Sequence, residues 1–285
     1  MTTVLESIEG GTRYLEKRGV EDARRNMQML VARQLGCSRM DLYTQFDRPM
    51  DESVLAPLRE MLKKRGEGIP LQHLLGTVWF HNREFLTDSR ALIPRPETEE
   101  LVEWILSWEL PEAGLHLVDI GCGSGVIGLS LAATKKSWRV TLVDVSNDAL
   151  DLARENAARL GLNNVNFVLS DLFSSLQDCY DGIIANLPYV PETDRADLSR
   201  EVLHDPAQAL FGGDDGLEII RRFLPAAFER LSPGAWLAME IGHDQAAAVR
   251  ALMENAGYAE IEVMSDLSGV PRFPAAIRPC GSPNE

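Results

Sequence analysis

From residue 115 onward the periodicity of the chain keeps switching between two and about 3.6 residues, and this alternation is its strongest constraint on folding. The runs "LHLVDIG", "RVTLVDV", "VNFVL", "YDGIIAN" and "AWLAMEIG" have the length and apolar character of buried strands. The segments "GVIGLSLAAT", "SNDALDLARENAARLG", "GLEIIRRFLPAAFERL" and "DQAAAVRALMENAG" lie between or after them with helical spacing. In the second of these helices Leu150, Ala153, Ala157 and Leu160 share a face, Ser146 stands at the N-cap and Gly161 at the stop. Strand–helix alternation of this kind predicts an α/β, Rossmann-like fold: a mostly parallel sheet with helices on both faces. Ligands of such sheets bind at the carboxyl ends of the strands, near the point where strand order reverses.

The first part of the chain has a different pattern. Residues 3–66 read as short amphipathic helices, with Leu5, Ile8 and Leu15 on one face and Met27, Leu30, Val31 and Leu35 on another. A third stripe runs through Val54, Leu55, Leu58, Met61 and Leu62, with Asp51 as N-cap and Gly36 and Gly66 as C-caps. All these apolar side chains are expected to form a bundle core. "GEGIP" (66–70) breaks the pattern, and "TVWFHNREFLTD" (77–88) reads as a hairpin turning at His81-Asn82. Pro94 and Pro96 then hold the chain extended before a helix whose first turn carries Glu97, Glu99 and Glu100, where the helix dipole favours acids. The expected organisation is a helical domain over 1–75, a hairpin linker over 76–92 and an α/β domain over 93–285.

Charge narrows the choice of partner. Of 28 Lys+Arg and 43 Asp+Glu, residues 1–75 hold 12 and 11, which leaves 16 against 32 in the other 210 residues. So acidic a domain repels phosphates, so a protein or small-molecule substrate is expected and direct binding of nucleic acid is not. No apolar run approaches the ~20 residues of a membrane span, and Glu6 and Glu9 do not suit a secretory leader; the expectation is a cytoplasmic protein. Cys37, Cys122, Cys179 and Cys280 show no zinc-ligand spacing, so no metal is expected, and the thiols are expected to be reduced and mostly buried.

"DIGCGSG" (119–125) closes the first strand of the sheet. Its glycines let a ligand lie against backbone N–H groups without meeting a Cβ. Asp144, at the end of the next strand, is placed to accept hydrogen bonds from two ribose hydroxyls. Gly123, Gly125 and Gly128 also satisfy the dinucleotide pattern GxGxxG, which alone is weak evidence. Two features favour S-adenosylmethionine over NAD. Asp119 precedes the glycines, where a carboxylate suits an ammonium group and repels a pyrophosphate. Asp171 and Leu172 follow the third strand, where one could accept the adenine amino group and the other cover the ring. As isolated residues, Asp119 and Asp171 read equally well as turn-capping carboxylates; their placement at successive strand ends favours the ligand.

"IIANLPYVPE" (183–192) ends another strand with Asn186, Leu187, Pro188 and Tyr189. An amide nitrogen is a poor nucleophile because its lone pair is delocalised, so a site that methylates one must orient it. The Asn186 side-chain carbonyl and the Leu187 backbone carbonyl, which lacks a ladder partner because Pro188 follows, can each accept one N–H of a planar NH2 group. Tyr189 can supply a flat apolar surface. This is orientation and electrostatic catalysis without a strong base.

Taken together, "IPRPETEELVEW", "DIGCGSGVIGLSLA", "NLPYVPE", "ALFGGDDGLEIIRRF", "LAMEIGHDQ" and "DLSGVPRF" resemble the HemK/PrmC family of protein glutamine N5-methyltransferases, and the resemblance spans nearly the whole chain. It implies a class I S-adenosylmethionine-dependent methyltransferase domain that modifies the GGQ glutamine of class I peptide chain release factors, aided by the N-terminal helices; a monomer is expected. By the same resemblance Asp119, Ile120, Gly121, Cys122, Gly123, Asp144, Leu172 and Asn186 line the cofactor pocket, to which the reading of the strand ends adds Asp171, while Asn186, Leu187, Pro188 and Tyr189 receive the glutamine. The family usually has NPPY where this chain has NLPY, and Glu where it has Asp205. Alternatives are methylation of another amide or exocyclic amine, such as a ribosomal-protein glutamine or adenine in RNA, a dehydrogenase using the GxGxxG register, and a non-catalytic S-adenosylmethionine-binding protein.

Overall fold

The computed structural model describes residues 2–112 and 114–280. Its contacts divide the chain into two compact units: Met1–Thr77 with Ser199–His204, and Val78–Leu198 with Asp205–Glu285. The hairpin expected as a linker therefore falls in the second unit from Val78 onward.

The first unit contains α1 (Val4–Glu16), α2 (Ala23–Leu35), α3 (Glu52–Gly66) and α4 (Leu71–Leu75). Helix α1 starts on a capping box, in which Glu6 N–H donates to Thr3 Oγ1 at 3.2 Å and Thr3 N–H to Glu6 Oε2 at 2.9 Å. Val4 and Ile8 of α1 pack with Met27, Leu30, Val31 and Leu58. Leu5, expected on that face, is only half-buried, and Val4 takes its place. Gly36 caps α2 with φ 63°, as its spacing predicts, whereas Gly66 is the last residue of α3 and Glu67 follows as the cap. Arg65 is the buried charge of this unit: its Nε donates to Asn26 Oδ1 at 2.7 Å, Nη1 to the Ile69 carbonyl at 3.3 Å, and Nη2 to Glu201.

The second unit begins at Val78, one residue into the hairpin of β1 (Thr77–Phe80) and β2 (Arg83–Leu86). His81 and Asn82 have φ of 45° and 59°, the left-handed pair that a two-residue hairpin turn requires. Then come α5 (Pro96–Ser107), β3 (His116–Ile120), α6 (Val126–Thr134), β4 (Arg139–Asp144), α7 (Asn147–Arg159), β5 (Val165–Leu169) and β6 (Tyr180–Asn186). After a loop follow α8 (Ala207–Leu210), α9 (Glu218–Arg230), β7 (Leu231–Glu240), α10 (Ala246–Ala256), β8 (Ala259–Ser265) and β9 (Pro271–Ile277). Sheet order is β5-β4-β3-β6-β7-β9-β8; the first five are parallel, and β9 runs antiparallel to both β7 and β8.

Alternate residues of each central strand face opposite sides, which creates two cores. Leu117, Val140, Leu142 and Ile184 pack with α5, α6 and α7; Val118, Val143, Ile183 and Ala185 pack with α9 and α10. Strands β8 and β9 have no counterpart among the sequence expectations: β8 alternates Ile261 and Val263 with Glu260 and Glu262, and β9 is interrupted by Pro271 and Pro274, so neither is a continuous apolar run like the central strands. The expectation of mostly buried cysteines needs correction: Cys122 is buried and Cys37 half-buried, but Cys179 and Cys280 are exposed in loops near strand ends. Among the described residues no helix is long and apolar enough to cross a membrane.

Arg65→Leu is expected to destabilise the first unit by about 2 kcal/mol, because it leaves the buried Asn26 Oδ1 without its donor. Glu201→Gln should cost under about 1 kcal/mol, since water reaches Glu201. Urea titrations of both variants test this; equal midpoints for the two would contradict it.

Candidate active site

The parallel strands end together along one edge, and chain order reverses between β3 and β6, with β4 on one side and β7 on the other. Above that edge lies a cleft with about 1060 Å³ of empty space, the open solvent at its mouth included. Its floor is the glycine loop between β3 and α6. Gly121 N–H and Cys122 N–H donate to the Val143 carbonyl at 2.8 and 3.0 Å, which folds the loop back over the end of β4. Gly121 adopts φ 72°, and a Cβ there would lie 3.0 Å from Leu187 Cδ2 and 3.6 Å from the Asn186 carbonyl. Only glycine fits this left-handed, crowded position without strain.

Asp144 stands at the end of β4 with both oxygens engaged. Oδ2 accepts Gly123 N–H and Oδ1 accepts Ser146 N–H, each at 2.9 Å. Burial raises its pKa, and those backbone donors oppose the rise. Ser146 also caps α7, accepting Ala149 N–H at 3.2 Å, as the sequence predicts. Asp119 is fully buried beneath the loop: Oδ2 accepts Gly128 N–H at 2.8 Å, while Oδ1 has no hydrogen-bond partner. A Cβ on Gly128 would lie 2.9 Å from that Oδ2, so this glycine is required for the close approach of helix to strand. Burial, with the nearby charge of Asp144, pushes Asp119 up to about 7. Burial likewise holds the Cys122 thiol well above its usual range, so it stays protonated.

Ile120, Gly121, Cys122, Gly123 and Asp144 border the cleft together with Asp171, Leu172, Asn186, Leu187 and Pro188. Two residues singled out from the sequence do not. Asp119 lies behind the loop, and Tyr189 points away from the cleft, its hydroxyl donating to Glu240 Oε1 at 3.4 Å. Leu172 carries a left-handed φ of 50°, rare for a branched side chain. Asp171 pairs with Arg222 at 2.5 Å, both side chains being more than half exposed.

Other residues that shape the site carry weaker signals. Asn186 Nδ2 lies 3.4 Å from Thr98 Oγ1 in the first turn of α5, and the Thr98 hydroxyl donates to Glu240 Oε2 at 2.6 Å. Glu240 is the register partner of Asn186 across β6 and β7, which brings their side chains to the same side. Burial raises the Glu240 pKa; the Thr98 hydroxyl and Arg272 oppose it. The hint was there in "AWLAMEIG", an acid at the end of an apolar strand like Asp119 and Asp144. The backbone after Asn186 is clamped too. Gln245 Nε2 donates to the Tyr189 carbonyl at 3.0 Å, Val190 N–H to Leu210 and Gly212 N–H to Val190, both at 2.9 Å. Side chains on Gly212 or Gly216 would collide with the Pro188 and Tyr189 carbonyls. Asp205 accepts Ile93 N–H at 3.2 Å and pairs with Arg95 at 2.8 Å, tying "IPRPETE" to the loop before α8.

A glycine loop, an acid closing the second strand and an amide closing the fourth, all at the switch point of a parallel sheet, define a class I S-adenosylmethionine-dependent methyltransferase fold. The same fold occurs in the T. thermophilus 16S rRNA N2 G1207 methyltransferase in complex with AdoMet and guanosine, with TM-score 0.53 and 17% identity over 71% of this chain and 49% of that one. The Methyltransferase small domain family matches residues 104–229, and the PrmC N-terminal domain family matches residues 6–76. The release factor glutamine methyltransferase of Koribacter versatilis is 35% identical over 280 residues, covering 97% of this chain and 99% of the relative. That of Geobacter sulfurreducens is 38% identical over 272 residues, covering 95% of each. The chain belongs to the family of release factor glutamine methyltransferases.

Asp119 gives a pH signature. Its unfolded-state pKa is near 3.8 and its folded one about 7, so between these values the native state holds a proton that the unfolded chain has lost. Stability from this group is full below pH 3.8 and falls by an amount on the order of 4 kcal/mol as pH rises to 7. Asp119→Asn keeps an acceptor for Gly128 but cannot titrate. Denaturation at pH 5 and pH 8 should show a smaller loss of stability with pH in the variant than in the parent; equal losses would exclude the assignment.

Proposed function

We propose that this protein transfers a methyl group from S-adenosylmethionine to the side-chain N5 of the GGQ glutamine in class I peptide chain release factors, in the cytoplasm and as a monomer. The observation that carries this reading is the adjacency of Asn186, Leu187 and Pro188 to the glycine loop in a single cleft, in a chain related over nearly its full length to release factor glutamine methyltransferases.

The residues present fit the cofactor. Gly121 and Gly123 put no side chain between the loop backbone and the cleft, Asp144 stands at the cleft wall, and Asp119 keeps one unpaired oxygen beneath the loop. In this reading Ile120 to Gly123 face the cofactor's amino-acid portion, with Asp119 acting on the ammonium group through the loop or through water. Asp144 accepts from the ribose, and Asp171 and Leu172 face the adenine, Asp171 exchanging or sharing its Arg222 partner. When bound, S-adenosylmethionine supplies an electrophilic sulfonium methyl group.

The rest of the chemistry belongs to the chain. Asn186 Oδ1 and the Leu187 carbonyl accept the two N–H groups of the glutamine amide, which fixes its plane and aims its lone pair. Pro188 borders the amide, and Tyr189 anchors the loop through Glu240. The helical unit holds the body of the release factor. The acidic balance beyond residue 75, 16 Lys+Arg against 32 Asp+Glu, supports a protein substrate over a nucleic acid.

The deciding test combines the purified protein, S-adenosylmethionine and an unmodified release factor, with the product mapped by peptide mass spectrometry. A methyl on the GGQ glutamine is the expected result, and a methyl elsewhere or none would overturn the reading. Asn186→Ala is expected to lower kcat roughly 10²-fold or more with cofactor Kd nearly unchanged. Asp144→Ala should raise the cofactor KM first; parallel loss of cofactor affinity in both variants would refute this division of roles.

A further inference from the structure

A primary amide has two chemically opposite ends, a carbonyl that accepts and an NH2 that donates, with nearly the same shape. Nothing in the sequence decides which end of Asn186 meets the cleft. The decision is chemical as well as steric, because only the carbonyl end can receive an N–H from a substrate amide. A half-turn about the last side-chain bond exchanges the two.

Three contacts behind Asn186 settle its orientation. Thr98, 3% exposed, has a single hydroxyl hydrogen, and its 2.6 Å contact with Glu240 Oε2 commits that hydrogen to a carboxylate. What Thr98 Oγ1 then presents to Asn186 is lone pairs. At 3.4 Å only the NH2 end of Asn186 can face it with a hydrogen between the two atoms, since the flipped amide would set oxygen against oxygen. Glu240, 1% exposed, is held from the other side by Tyr189, whose hydroxyl donates to Oε1 at 3.4 Å. The chain of donors therefore runs in one direction, from Asn186 through Thr98 to Glu240. It is anchored in three elements: the end of β6, the first turn of α5 and the end of β7.

We propose that Thr98 and Glu240 are positioning residues for methyl transfer, which lock the Asn186 amide with Nδ2 turned inward and so present Oδ1 to the cleft as the acceptor for the substrate's N–H. This rests on the reading that Asn186 receives the glutamine amide. It gives "PET" and "MEI" a shared task that neither the glycine loop nor the NLPY loop performs.

Thr98→Val removes the hydroxyl at nearly constant volume, and Thr98→Ser restores it. Thr98→Val should lower kcat for release-factor methylation roughly tenfold to a hundredfold, leaving cofactor Kd and release-factor KM within about twofold. Thr98→Ser should recover most of the lost rate. A kcat for Thr98→Val within twofold of the parent, or a loss that Thr98→Ser fails to recover, would overturn the proposal. A second measurement needs no substrate: hydrogen exchange of the Asn186 side-chain NH2 by NMR, assigned by its disappearance in Asn186→Asp. Exchange is expected at least about tenfold faster in Thr98→Val than in the parent and in Thr98→Ser. Equal rates in all three would show that the amide is not held, whatever substrate the enzyme takes. Absence of methyl on the GGQ glutamine with the parent protein would instead refute the substrate reading and leave the exchange result to decide the role of Thr98.

Discussion

The constraint on which the site depends is the shared direction of β4, β3, β6 and β7. Parallel pairing puts Asp144, Ile120, Asn186 and Glu240 at the same edge, with Ile120 opposite Val143 and Ala185, and Asn186 opposite Glu240. The register leaves carbonyls and side chains at that edge without ladder partners, so they are available to ligands or to loops. Reversal of chain order between β3 and β6 then opens a crevice there, because the connections from the two strands leave in opposite directions.

Rigidity at that edge comes from buried polar contacts that reach between elements. Asp119 joins β3 to α6 through Gly128, Asp144 joins β4 to the glycine loop, and Glu240 joins β7 to α5 and to the loop after β6. Each carboxylate is desolvated, and each is partly compensated by donors held in fixed positions. Together they make a cleft whose walls need little rearrangement when a substrate amide arrives, the condition under which orientation can replace a strong base.

The leucine of NLPY can be understood in the same terms. A proline at 187 would restrict the loop through its ring. Here the backbone is restrained from outside, by Gln245 on the Tyr189 carbonyl and by the glycine segment 212–216 packed against Pro188 and Tyr189. Leu187 itself is 3% exposed and packs into the core shared with α9 and α10. Its side chain lies over Gly121, which links the substrate loop directly to the glycine loop.

Local chemistry was enough to read the sheet's alternation, the glycine loop, the caps at Ser146 and Gly36, the turn at His81-Asn82 and the family, because each depends on residues close together in the chain. The sequence by itself therefore determined the fold class and the strand ends that border the cleft. Only the tertiary structure decided that Asp119 lies behind the loop, that Tyr189 turns from the cleft to Glu240, and that Thr98 meets Asn186 across 88 positions of sequence. The antiparallel strands β9 and β8 that complete the sheet beyond β7 and the membership of 199–204 in the first unit belong to the same class. The physical reason is that a side chain's partner is set by strand register and helix docking, which sum many weak long-range contacts. A residue's own neighbours in sequence carry no record of that sum.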